Sequence, residues 1–299
     1  MENSKQNIME EYIHRYPQLC LLVKEGMSST EEYKDIVLRG KIPAQFPNYF
    51  IGDEEDSVWE VSTPAGTAEI LYLAQRQDFE RAARCLAYKC EDRAVPPSMG
   101  AVTIAGIINW QKIRQHKEKY LASGRIDWQA EFKRFTAKPE NYKDRLILLS
   151  KGGYSALTAE EAGYTDQEWE AVSLKIRMYH ELCHVVCRSL FPKQKHGVVD
   201  EIVADCFGIL KAAGFYDVVL AEKCLGIWGS KYRKGGRLEN YLDIQDTPEQ
   251  YVEYAIKAIR MLRDFLEEIE EKEYWDKILA VEAGLFGTLA GILKGDIPD

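Results

Sequence analysis

His180-Glu181-Leu182-Cys183-His184 places two imidazoles and a carboxylate at helical spacing. Positions i and i+4 lie about 40° apart around an α-helix, so both rings can reach one metal ion, and Glu181 projects beside them where a base for a metal-activated water belongs. The chemistry this spacing suits is zinc-dependent hydrolysis with one Zn2+ per chain. A second pair follows in Val198-Val199-Asp200-Glu201-Ile202-Val203-Ala204-Asp205, where Glu201 and Asp205 again stand four apart on an apolar helical stretch. Two carboxylates on an apolar face need compensation. Glu201 as third ligand would leave zinc a fourth position for water, and Asp205 would accept the second N–H of a ligand imidazole.

HExxH followed on the next helix by ExxxD resembles the gluzincin metallopeptidases, with thermolysin-like and ImmA/IrrE-type proteins as relatives; the resemblance covers residues 177 to 209. It implies zinc held by His180, His184 and Glu201, Glu181 as catalytic base, and Asp205 orienting a histidine. The metzincin pattern does not fit, because Cys187 stands where it needs Gly and Leu190 where it needs His. A gluzincin peptidase also needs a donor for the oxyanion of its tetrahedral intermediate, usually a His or Tyr beyond the third ligand. No histidine follows His196. Tyr232, Arg237 and Tyr241 are the donors available on that side, with Tyr154 a candidate from upstream. In the families it resembles, a strand ahead of the metal helix commonly borders the cleft and can pair with an extended peptide; residues 144–155 fit that role or an internal strand ending in the Gly152-Gly153 turn.

Other residues compete for the metal. Cys187 projects one turn beyond His184 on nearly the same face, although a small core residue is its more ordinary use. His196 lies in the connector between the two ligand helices. Glu201, with Asp205 one turn on, is the better third ligand.

These residues need two adjacent helices. Thr165-Asp166-Gln167-Glu168 is a capping box that starts the first, and Pro192 stops it. Trp169, Val172, Ile176, Cys183, Cys187 and Leu190 recur at helical spacing and turn the histidines inward. Ala204 is small enough to let the second helix approach, and Gly214 suits its C-terminus. A short helix over 216–228 leads into the polar loop 230–241, and Thr247-Pro248-Glu249-Gln250 opens a long helix to about Lys272, with another from Tyr274.

Ahead of the site the pattern is again mostly helical: residues 5–24 broken near Pro17, residues 30–39, and an amphipathic stretch from Thr67 to Cys90. Ala101 to Asn109 fits a buried strand or the start of a helix, while Ser57–Ser62 and Arg145–Leu149 read as strands. The expected fold is α+β and predominantly α-helical, with a zincin-like catalytic lobe over residues 141–299, a mainly helical lobe over 1–140, and a small sheet.

The 299-residue chain has net charge −9 and no basic face, which argues against nucleic acid. Its amino terminus has no apolar signal core, the apolar stretch 278–293 is short for a membrane span, and seven cysteines at irregular spacings make no disulfide framework. The chain reads as cytoplasmic, acting on a peptide or protein. Two alternatives share the motif: hydrolysis of a non-peptide amide, and a non-catalytic regulatory protein on a zincin scaffold.

Overall fold

A computed structural model describes residues 8–41, 43, 45–192, 197–242 and 246–267. It is a predominantly helical α+β structure in two compact units. The first unit takes in the chain up to Glu60, Glu69–Pro96 and Val102–Ser150; the second takes in Val61–Ala68, Pro97–Ala101 and the chain from Lys151 onward.

Helix α1 (Ile8–Arg15) ends ahead of Pro17, and a 3₁₀ turn over Pro17–Cys20 follows, so the expected break falls at the proline. The segment after Thr30 is a single α turn, α2 (Glu31–Tyr33), that widens into a π-helical turn over Lys34–Leu38. Strands β1 (Ser57–Thr63) and β2 (Gly66–Leu73) precede helix α3 (Arg76–Leu86); then come β3 (Ala101–Ile108), α4 (Trp110–Ala122), α5 (Trp128–Thr136) and β4 (Lys143–Ser150). The four strands form one sheet in the order β1-β2-β4-β3, in which β2 and β4 run parallel with Glu69 opposite Leu146 and Leu73 opposite Ser150. Leu146, Ile147, Leu148 and Leu149 are all buried. An unbroken apolar run is what an interior parallel strand requires, because both faces are covered. Strand β4 belongs to the first unit.

The sheet corrects one expectation. Thr67–Cys90 is not one helix, since Ile70, Leu71, Tyr72 and Leu73 are buried as β2, and helical structure begins only at Arg76. Pairing with β4 overrides the local periodicity there. Ala101–Ile108 resolves as a strand, and Asn109 then caps α4 by accepting from the Lys112 N–H at 3.0 Å.

The second unit holds α6 (Ala159–Ala162), α7 (Asp166–Leu190), α8 (Val198–Ala213), α9 (Val218–Cys224), the two-residue antiparallel strands β5 (Ile227–Trp228) and β6 (Lys231–Tyr232), a 3₁₀ turn (Arg237–Tyr241) and α10 (Pro248–Glu267). The capping box forms at the head of α7: Thr165 Oγ1 accepts from the Glu168 N–H, and Glu168 Oε2 accepts from the Thr165 N–H at 3.0 Å. Helix α8 ends on Gly214 in the left-handed region, φ 82°. Ile176, Cys183 and Cys187 of α7 share a core with Ile202, Phe207 and other residues of α8, α9 and α10.

Helices α7 and α8 pack tightly at Gly208, where an added Cβ would lie 2.7 Å from the Ile176 carbonyl oxygen. Ala204 one turn earlier is fully buried. Small residues at i and i+4 thus bring the two ligand-bearing helices together. The helix expected from Tyr274, the apolar stretch 278–293 and His196 lie outside the described residues. No described helix is long and apolar enough to cross a membrane.

Candidate metal centre

His180 and His184 lie on consecutive turns of α7, both buried, and Glu201 reaches them from the first turn of α8. The two Nε2 atoms stand 3.0 Å apart; Glu201 Oε2 is 3.4 Å from the first and Oε1 is 3.3 Å from the second. Donors at the corners of a tetrahedral zinc site with Zn–N and Zn–O of about 2.0–2.1 Å are separated by roughly 3.3 Å. The two Nε2 atoms stand near that spacing from each other, and each has a different oxygen of the one Glu201 carboxylate at it. His180, His184 and Glu201 form the one candidate metal cluster among the described residues.

The opposite edge of each ring explains why these atoms need a cation. His180 Nδ1 is 2.8 Å from Asp205 Oδ1, and His184 Nδ1 is 3.0 Å from Asp200 Oδ2. A carboxylate facing Nδ1 keeps the proton there, so a neutral imidazole presents its Nε2 lone pair inward. Two lone pairs and the Glu201 carboxylate then converge within hydrogen-bond range of one another. Only protons or a metal ion relieve that repulsion.

In the metal-free protein the relief comes from protons. Burial opposes charge on both rings, but the facing carboxylates of Asp200 and Glu201 outweigh it at His184 and raise its pKa to about 10. At His180 burial and the neighbouring His184 work downward, yet Asp205 and Glu201 leave the ring above its ordinary value. Burial likewise opposes ionisation of Glu201, and the two imidazoles overcome it and hold the carboxylate far below its usual range.

Behind His180 lies a second layer. The Tyr154 hydroxyl donates to Asp205 Oδ1 at 2.5 Å and lies 2.9 Å from His180 Nδ1. Arg237 closes this layer: one terminal nitrogen donates to the Tyr154 hydroxyl and to Ser155 Oγ, each at 2.7 Å, while the other stands 3.2 Å from Glu201 Oε2 and 3.0 Å from Asp205 Oδ1. Its Nε donates to the Tyr241 hydroxyl at 2.9 Å. The turn carrying Arg237 is set by backbone packed directly on backbone, since a Cβ on Gly226 would meet the Gly236 Cα at 2.6 Å.

Of the four oxyanion-donor candidates, Arg237 and Tyr154 contact candidate ligands, Arg237 through the carboxylate of Glu201 and Tyr154 through Nδ1 of His180. Tyr154 faces the Nδ1 edge of His180, away from the converging Nε2 atoms, and Tyr241 supports Arg237. The Tyr232 hydroxyl is used within its own loop, 2.8 Å from both the Gly236 carbonyl and Glu239. Glu181, beside His180 on α7, is half-buried. Cys187 sits in the core with its Sγ 3.7 Å from that of Cys183. Asp200 had no assigned role in the sequence; the signal available was its position immediately before Glu201 on an apolar helix, where a second buried carboxylate demands a partner.

The family model described as "Family of unknown function (DUF7005)" matches residues 1–283, so the chain belongs to that family. No curated protein matches the chain, and no solved structure does.

Proposed function

We propose that this member of the DUF7005 family is a zinc-dependent hydrolase of peptide bonds, with His180, His184 and Glu201 as zinc ligands and Glu181 as general base. The observation that carries the reading is the convergence of two Nε2 atoms and one carboxylate within 3.4 Å, with each Nδ1 facing a buried acid. A bound zinc ion in such a site acidifies water and polarises a carbonyl. Two imidazoles and one carboxylate are the ligand set of catalytic rather than structural zinc, which is usually closed by four Cys or His side chains.

The chain's own residues divide the remaining work. Glu181, adjacent in sequence to the first ligand, accepts the proton of the attacking water and returns it to the leaving amine. Asp205 and Asp200 hold the Nδ1 protons, which keeps both Nε2 lone pairs directed at the metal position. Arg237 engages all five of its N–H groups with Tyr241, Tyr154, Ser155, Glu201 and Asp205, so its guanidinium holds the ligand carboxylate and the acid behind His180 in place. Seven buried thiols suit a reducing compartment such as the cytoplasm.

Hydrolysis of a peptide library by zinc-loaded wild type and by Glu181→Gln tests the reading. The wild type should cleave, and the variant should keep its fold and its zinc while losing cleavage. Equal inactivity of both with zinc bound would transfer the site to a regulatory scaffold.

A further inference from the structure

Residues 152–157 carry Tyr154 and Ser155 into the site, and their backbone is gripped at three points by one edge of α7. Trp169 Nε1 donates to the Leu157 carbonyl at 2.9 Å, Ser173 Oγ accepts from the Tyr154 N–H at 3.0 Å, and an Arg177 guanidinium nitrogen donates to the Gly152 carbonyl. The three side chains are spaced at i, i+4 and i+8, so they form a row along one helix edge. All three are buried. The strap runs along the row in the opposite direction, with residue 157 at Trp169 and residue 152 at Arg177, and His180 follows Arg177 by three residues on the same helix.

The strap is shaped to fit. A Cβ on Gly153 would lie 2.6 Å from the Leu157 carbonyl oxygen and 3.0 Å from Trp169 Nε1, and Gly152 takes φ +121°. Ser155 and Ala156 are held in the left-handed region at φ 52° and 58°, a conformation that non-glycine residues keep only when surrounding contacts impose it. That pair of residues directly follows the tyrosine whose hydroxyl meets Asp205 and His180.

We propose that Trp169, Ser173 and Arg177 act as a staple that fixes the 152–157 strap, and that this staple, through Tyr154, sets the orientation of His180 for metal binding. The three are positioning residues; none touches the metal cluster. The proposal rests on the zinc reading for its effect on affinity, but the staple itself is a property of the metal-free protein and is measurable there.

The experiment is a double-mutant cycle on zinc affinity by chelator competition, comparing Ser173→Ala and Arg177→Gln in the wild-type and Tyr154→Phe backgrounds. Each staple variant should weaken zinc about 3- to 10-fold in the wild-type background and less than twofold when Tyr154 is Phe, because the strap then has no hydroxyl to deliver. A metal-independent arm follows the His180 Nδ1–H in ¹⁵N-histidine-labelled, metal-free protein. Its exchange with water should quicken about 10-fold in both staple variants. Equal affinity losses in the two backgrounds would make the staple a merely structural feature and overturn the proposal, as would an unchanged His180 Nδ1–H exchange rate. Absence of zinc binding by wild type, with exchange quickened by the variants, would sink the zinc reading and leave the staple standing.

Discussion

Zinc binding should expel protons, by an amount the geometry fixes. Each Nδ1 faces a carboxylate, so the proton a ligand must lose sits on Nε2 and is lost to the metal. With the His184 pKa raised to about 10, its imidazolium outnumbers the neutral form roughly 10⁴-fold at pH 6. Zinc therefore displaces about one proton from His184, and up to about two where His180, shifted in the same direction, also carries one. Apparent affinity should climb about tenfold per pH unit for each proton released. Titration calorimetry at pH 6 in several buffers of different ionisation enthalpy reads the number directly as the slope of observed enthalpy. Working at that pH keeps the contribution of zinc-bound water small, since its pKa is about 7. Asp200→Asn, which retains an acceptor for Nδ1 while removing the charge, should reduce the release. A slope near zero with zinc fully bound would mean that the rings are neutral in the metal-free protein, and would refute the argument from the carboxylate cage.

Asp205→Ala and Asp200→Ala should each weaken zinc by about 10- to 100-fold without abolishing the site, the usual scale for partners behind a ligand, whereas Glu201→Ala should cost far more; chelator competition on the three variants separates the roles. Gly208→Ala should destabilise the protein by about 1–3 kcal/mol in urea denaturation, because its Cβ would meet the Ile176 carbonyl oxygen at 2.7 Å and force α7 and α8 apart, and that strain exceeds the roughly 0.5–1 kcal/mol Ala gains over Gly in helix propensity. An unchanged or raised midpoint would contradict the close approach of the two ligand helices.

How far the sequence reveals the site depends on the distance over which each residue acts. His180, His184, Glu201 and Asp205 are legible because i and i+4 on a helix share a face whatever the rest of the chain does. The Thr165 capping box and the Gly214 end are equally local, and both form. Asp200 is not legible in the same way: it neighbours Glu201 in sequence but projects about 100° away around the helix, and it meets His184 only through the crossing of α7 with α8. Tyr154 and Arg237 come from segments separated in sequence from the ligand pairs. Their hydroxyl and guanidinium suggested oxyanion donors, and folding places the hydroxyl behind His180 instead. The segment 67–90 departs from its helical expectation for a related reason. Ile70 to Leu73 satisfy a helical stripe as well as a buried strand, and the deciding partner is β4, more than seventy residues on.

The proposed zinc ligands are His180, His184 and Glu201. Metal analysis of purified wild type, Glu201→Ala and His196→Ala after dialysis against a weak chelator tests that assignment most directly. Wild type and His196→Ala should carry about one zinc per chain, and Glu201→Ala almost none. Full zinc in Glu201→Ala with loss in His196→Ala would contradict the assignment and move the third ligand to the connector between the two helices.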